Sequence, residues 1–286
     1  MRLCSLRYRI PSSPAVAKGG AACDGDTRGD KILTVEVIKA RTLDGIPHGF
    51  LGRRGGVSTG IYAGLNVGIG SDDDRIAVLE NRQLAMAAVL PNAKLARVYQ
   101  IHSADVVTIT NANDQDDPPK GDALVTNVSG ILLGILTADC VPVLFADYEA
   151  GVVGAAHAGW KGALSGITDQ TITAMEKLGA ARTRIVTAVG PCIAQKSYEV
   201  DAAFFQRFAD DDAASERFFA HGKTGHFQFD IEGYVAARLA AADIGKVECL
   251  GEDTYSQPDR FFSYRRSCHS GDAGYGRQIS MIGLRP

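Results

Sequence analysis

Ile131-Leu-Leu-Gly-Ile-Leu-Thr-Ala-Asp-Cys-Val-Pro-Val-Leu-Phe145, followed closely by Gly151-Val-Val-Gly-Ala-Ala-His-Ala-Gly-Trp-Lys-Gly162, is the stretch whose reading decides the fold. Its apolar runs at 131–136, 141–145 and 152–156 have strand length and no alternating polar face, so each must be covered on both sides. A helix is expected next, over 162–178, with Leu164, Ile167, Thr171, Met175 and Leu178 on one stripe and Gly179 as its stop. Outward from this centre, strands are expected at 32–38, 95–98, 106–109, 123–126, 185–189, 246–250, 261–264 and 278–283. Helices are expected at 201–208 and 230–242. Another opens at Ser71 and Asp74, carries Ile76, Leu79, Leu84 and Ala87 or Ala88 on its apolar face, and stops at Pro91. The acidic triplet Asp72, Asp73 and Asp74 reads as capping and dipole compensation. The segment 47–70 is too rich in glycine for helix and reads as strand and sharp turns. The pattern gives one mixed α/β domain of layered sheets and helices over residues 31–286.

The chain has 286 residues, a net charge of -3 and 45% hydrophobic residues, enough to bury a large core. No basic field is available to grip a nucleic acid along its length, so any phosphate recognition must be local. No apolar run approaches the roughly 20 residues that span a bilayer. The six cysteines show no short paired spacing, which suits reduced thiols in a soluble, cytoplasmic protein. Residues 1–30 differ in composition: Arg2, Arg7, Arg9 and Lys18 precede the first acid, Asp24, and 12–29 is rich in Gly, Ala, Ser and Pro. They read as an irregular N-terminal extension outside the fold.

His102, Cys140 and His157 each end or adjoin an apolar run among small residues, and together they offer two imidazoles and a thiolate. Three protein ligands are one fewer than a structural zinc site takes and match a catalytic site with an open position. Taken singly, each has a plain structural explanation: a hydrogen-bonded histidine, or a buried thiol acting as a small hydrophobe. Asp139, beside Cys140, is expected in a turn exposed to a cleft. The glycine turn after His157, with Lys161 beside it, suits one phosphate, although the glycines could simply turn the chain.

Several blocks together resemble the laccase-domain purine nucleoside phosphorylases, formerly called multicopper polyphenol oxidases. They include His48-Gly-Phe-Leu-Gly-Arg-Arg-Gly-Gly-Val-Ser58, Leu65-Asn-Val-Gly68, Gln100-Ile-His102, Gly121-Asp-Ala-Leu-Val-Thr126, Thr137-Ala-Asp-Cys140, Ala156-His-Ala-Gly-Trp-Lys-Gly162 and Phe261-Phe-Ser-Tyr-Arg-Arg266. The resemblance implies an α/β/β/α sandwich with mixed sheets and zinc held by His102, Cys140 and His157. It also places Arg53, Asn66 and Lys161 around a nucleoside and phosphate pocket. The implied activities are phosphorolysis of adenosine, inosine, guanosine and S-methyl-5'-thioadenosine, and deamination of adenosine. Zinc could supply hydroxide for attack at C6 of adenine, with Asp139 as the nearest carboxylate to carry a proton. Three alternatives stay open: a metal-free hydrolase with Cys140 as nucleophile and a histidine as base, a copper-dependent polyphenol oxidase, and a noncatalytic nucleoside-binding protein. Oligomeric state is not readable.

Overall fold

The computed structural model describes residues 34–111 and 118–286. The expected N-terminal extension and the first part of the strand expected at 32–38 lie outside the described residues. In chain order the strands are β1 (Val37–Ile38), β2 (His48–Leu51), β3 (Lys94–Ala96), β4 (Val106–Thr108), β5 (Ala123–Thr126), β6 (Ile131–Thr137) and β7 (Val141–Asp147). They continue as β8 (Val152–Ala158), β9 (Val186–Val189), β10 (Glu199–Asp201), β11 (Phe219–His221), β12 (His226–Phe229), β13 (Lys246–Cys249) and β14 (Gln278–Gly283). The helices are α1 (Arg75–Val89), α2 (Trp160–Leu164), α3 (Ile167–Lys177), α4 (Ala202–Asp211), α5 (Ile231–Ala241) and α6 (Tyr264–Ser270).

Strands β1-β2-β14-β6-β3 form one sheet and β13-β9-β7-β8-β5-β4 a second, both mixing parallel and antiparallel pairs. Side chains along β7 alternate: Val141, Val143 and Phe145 pack toward α3 and α5, while Leu144 and Ala146 meet the other sheet. On β6, Leu133 and Ile135 face Leu144, Val153 and Ala155 between the sheets, and Leu132 packs with Leu84 and Ala85 of α1. The result is helix, sheet, sheet, helix, with both faces of the central strands dry, as their unbroken apolar runs require. No helix among the described residues is long and apolar enough to cross a membrane.

Although consecutive, β6 and β7 belong to different sheets, so Ala138, Asp139 and Cys140 carry the chain from one sheet to the other. Asp139 takes a left-handed conformation there, with φ of 89°. Its carboxylate accepts from Thr254 Oγ1 (2.6 Å), Ser263 Oγ (2.9 Å) and Arg265 N (2.7 Å). The Asp139 side chain is therefore clamped in the interior, only 7% exposed, while the turn itself borders a cavity as expected, with Ala138 and Cys140 half-buried on its wall.

Four local readings need correction. The helix expected over 162–178 is two helices, broken where Gly166 adopts φ of 83°. Residues 261–264 are not a strand, because the Ser263 side chain accepts from Arg266 N and starts α6. Helix α1 is capped by Asp74, not Ser71, and its buried face carries Val78, Asn81, Arg82, Leu84 and Ala85, while Ile76 is 74% exposed. The third sheet, β10-β12-β11, had no expected counterpart. Its Phe219, Phe227 and Phe229 pack with Phe204, Phe205 and Phe208 of α4, an aromatic cluster that supplies what three short strands cannot.

At the end of β7, the fully buried Asp147 carboxylate accepts from the N–H groups of Glu149, Ala150 and Ala181 and from the Arg184 guanidinium. Burial alone would raise its pKa, but the Arg184 and backbone bonds outweigh burial and hold it below the ordinary carboxylate value. Its stabilisation is thus complete above the unfolded value near pH 4 and is lost as pH falls through the depressed folded value. Asp147→Asn should lose about 2 kcal/mol at pH 7, measured by urea unfolding. Its deficit against the wild type should shrink toward pH 3.

Candidate metal centre

Each of the three ligands expected in the sequence is delivered by a different segment. His157 is the sixth residue of β8, Cys140 closes the crossing from β6 to β7, and His102 lies in the loop between β3 and β4, at φ of 61°. Their Nε2 or Nδ1 and Sγ atoms all lie within 4.8 Å of one another, and the two imidazoles meet edge to face at 4.8 Å. Among the described residues this is the cluster of His, Cys, Asp and Glu that could hold a metal.

One carboxylate organises the three. Asp122, fully buried at the start of β5, accepts from Ile101 N (3.1 Å), His102 N (3.0 Å), Ser103 N (2.7 Å) and Ser103 Oγ (3.0 Å), fixing the His102 loop. It also bonds His157 Nδ1 at 2.8 Å, which directs Nε2 toward the cluster. Burial would raise the Asp122 pKa, but the His157 and backbone donors bring it down to about 2. Burial likewise pushes the Cys140 thiol up, yet His157 beside it and hydrogen bonds from both histidines draw it down to about 6. His157, which burial would lower, is raised to about 9 by Cys140 and Asp122. Each of the two groups thus favours the charged form of the other, and a cation held here would take the place of the proton on the imidazole nitrogen that faces the sulfur.

Gly159 leaves the space this requires. A Cβ there would stand 2.8 Å from His102 Cδ2 and 3.2 Å from Cys140 Sγ. A tetrahedral zinc needs its N and S donors roughly 3.4–3.6 Å apart, so the donor set and spacing fit after a small inward movement of the side chains. Sequence reasoning missed Asp122, although an aspartate directly before the apolar strand start Ala123-Leu-Val125 was a visible signal of a buried, bonded carboxylate.

Two cavities meet at the cluster, sharing His102, Ala138, Cys140 and Tyr264. The smaller, about 450 Å³, is walled by Trp160, Tyr198, Phe204, Glu199 and Arg265; the larger, about 710 Å³, by Arg82, Arg97, Gln100, Tyr275 and Arg277. Neither is lined by Arg53, Asn66 or Lys161. The Arg53 guanidinium donates to the carbonyls of Ala63 and Pro258 and stacks on Phe262. Asn66 is fully buried, donating to Ser71 and Asp73 and accepting from Gly68 N and Arg277 N. The Lys161 ammonium lies exposed over the Trp160 ring.

Residues 47–285 match the family described as multi-copper polyphenol oxidoreductase laccase. The chain belongs to that family. It is 43% identical over 241 residues to a Deinococcus radiodurans protein named purine nucleoside phosphorylase, covering 84% of this chain and 89% of the relative. It is 34% identical over 235 residues to the Escherichia coli purine nucleoside phosphorylase YfiH, covering 81% and 91%. The crystal structure of Neisseria meningitidis protein NMB0706 superposes with a TM-score of 0.79 at 31% identity, covering 88% of this chain and 99% of that one. YlmD from Geobacillus stearothermophilus gives 0.78 at 29% identity, covering 92% and 98%.

The copper name does not suit the histidines. His48 is buried in β2 with both ring nitrogens bonded to the backbone, His221 and His226 lie in the small sheet, and His269 bonds Tyr255. All six histidines are among the described residues, and no second group of them gathers to hold further coppers.

Two substitutions test the centre. Asp122→Asn should lower zinc affinity about 10–100-fold, read by competition with a chelating dye. Gly159→Ala, whose φ of -68° suits alanine, should weaken zinc by about tenfold or more by displacing His102 and Cys140 while the melting temperature stays within a few degrees.

Proposed function

We propose that this protein is a zinc-dependent purine nucleoside phosphorylase acting on adenosine, inosine, guanosine and S-methyl-5'-thioadenosine, with a companion adenosine deaminase activity. The observation that carries the reading is the cluster of His102, Cys140 and His157 at the junction of an aromatic cavity and an arginine-lined one, in a chain whose similar relatives bear the phosphorylase name. The aromatic walls of the smaller cavity, Trp160, Tyr198 and Phe204, suit a purine face. The cationic larger cavity suits phosphate.

In phosphorolysis the bond from C1′ to the purine nitrogen breaks and a phosphate oxygen bonds C1′. The purine leaves with the electron pair and gains the proton that dihydrogen phosphate gives up. The chain's work is to hold the two reactants on either side of the sugar and to keep water from C1′. Zinc, when bound, supplies Lewis acidity and a means of ionising water near neutral pH. His102, Cys140 and His157 would hold it, with Asp122 fixing His157. Deamination adds the oxygen of water to C6 and breaks the C6–N bond, and a carboxylate can carry water's proton to the amino group that leaves as ammonia. Glu199, on the wall of the smaller cavity, is the candidate. Asp139, expected in that role, spends its carboxylate on Thr254, Ser263 and Arg265.

A second reading has its own observation: Cys140, His157 and Asp122 are ordered like the thiolate, base and orienting carboxylate of a cysteine hydrolase. Such a mechanism leaves His102, the second imidazole at the sulfur, without a task, and this favours the metal. One experiment separates the readings. Purified protein incubated with each nucleoside and phosphate should form free base and the sugar 1-phosphate (ribose 1-phosphate, or 5-methylthioribose 1-phosphate from S-methyl-5'-thioadenosine), with zinc near one per chain, and both should be lost in Cys140→Ala. Turnover by metal-free protein that iodoacetamide abolishes would establish the hydrolase instead. Phenol oxidation by copper-loaded protein would favour the oxidase, and nucleoside binding without product a binding protein.

A further inference from the structure

Arg82 is an unusual residue to find inside a helix-sheet interface. It lies on the buried face of α1 and is only 8% exposed. Its Nε donates to the Val67 carbonyl at 2.8 Å, which fixes the guanidinium plane. Among the described residues its terminal amino groups have no protein acceptor and it forms no ion pair. Burial, and then the neighbouring Arg97, lower its pKa to about 10. A buried guanidinium is costly unless an anion completes it.

The surroundings are arranged in the same sense. Arg277 lines the same cavity, stacks on Tyr275 at 4.5 Å and donates to its hydroxyl at 3.0 Å, again without an ion pair among the described residues. The loop 66–68 ties the two arginines together: Val67 O takes Arg82 Nε, Val67 N donates to Arg277 O, and Asn66 Oδ1 accepts Arg277 N. Gly68 lies against the Arg277 side chain, where a Cβ would approach within 3.2 Å. No carboxylate is among the described residues lining this cavity, whereas the smaller one carries Asp139, Glu199 and Asp201. The same cavity reaches His102, Cys140 and His157.

We propose that Arg82 and Arg277, held by the loop 66–68, form the seat for inorganic phosphate in the larger cavity, with Asn66 as a positioning residue. The seat replaces Arg53 and Lys161, whose side chains are engaged or face solvent elsewhere. Its identity as a co-substrate site rests on the phosphorolytic reading, but anion binding does not, so the two can fail separately. Guanidinium forks match the oxygens of a phosphate two at a time, which also favours arginine over the lysine expected.

The test titrates inorganic phosphate into the zinc-loaded protein by calorimetry at low salt, and measures KM for phosphate and for inosine. Arg82→Gln and Arg277→Gln should each weaken phosphate by about tenfold or more, raise its KM correspondingly and leave KM for inosine within about threefold, with Lys177→Gln as a control for lost surface charge. Melting temperature and zinc content establish that each variant is folded; if Arg82→Gln is not, Arg277→Gln and Arg82→Lys carry the test. Unchanged phosphate affinity and KM in folded variants overturn the seat, even if the wild type turns over. Arginine-dependent phosphate binding with no ribose 1-phosphate formed upholds the seat and removes the phosphorolytic reading.

Discussion

The buried carboxylate of Asp122 is the constraint on which the rest of the centre depends. A charge in that position, sealed between a sheet and a loop, is tolerable only when its lone pairs are filled. Here they are filled by three successive backbone N–H groups, a serine hydroxyl and an imidazole. The same bonds that satisfy the charge force the 101–103 loop to wrap around it, which explains why His102 accepts a left-handed backbone. They also fix which nitrogen of His157 faces the sulfur. Electrostatic necessity in the core and precision at the surface of the site are one arrangement.

A second clamp, at Asp139, holds the chain where it passes between sheets. Because β6 and β7 belong to different layers, the strand ends diverge at 138–140 and leave room on both sides of Cys140. The two cavities exist for that reason. A hairpin joining the same two strands within one sheet would have filled this space with cross-strand side chains.

The central strands were legible because their sequences admit one environment: 131–136, 141–145 and 152–156 are apolar on both faces, and the structure covers both. The three cluster residues were legible as candidate ligands by residue type and by resemblance. What escaped was polar and buried. The stripe assigned to α1 counted only apolar residues, so it chose Ile76 and Leu79 and passed over Asn81 and Arg82, whose partners are backbone carbonyls more than a dozen residues earlier. Arg53 and Asn66 were read from the company they keep in a motif, yet their donors reach carbonyls and side chains nearby, Ala63 and Pro258 for Arg53 and Ser71 and Asp73 for Asn66. The break in the helix after α2 was hidden because Gly166 sits in a pattern that remains amphipathic across it.

His102, Cys140 and His157 come from a loop, a sheet crossing and a strand end, separated by 38 and 17 positions along the chain. None of these segments can present a usable donor set before the two sheets have docked. A cation captured here would therefore have almost no affinity for the unfolded chain, and its full binding energy would count toward holding the layers together. Starvation for the ion would then be felt first as a shorter cellular lifetime of the protein, through loosened sheets open to proteases, as well as through an idle active centre.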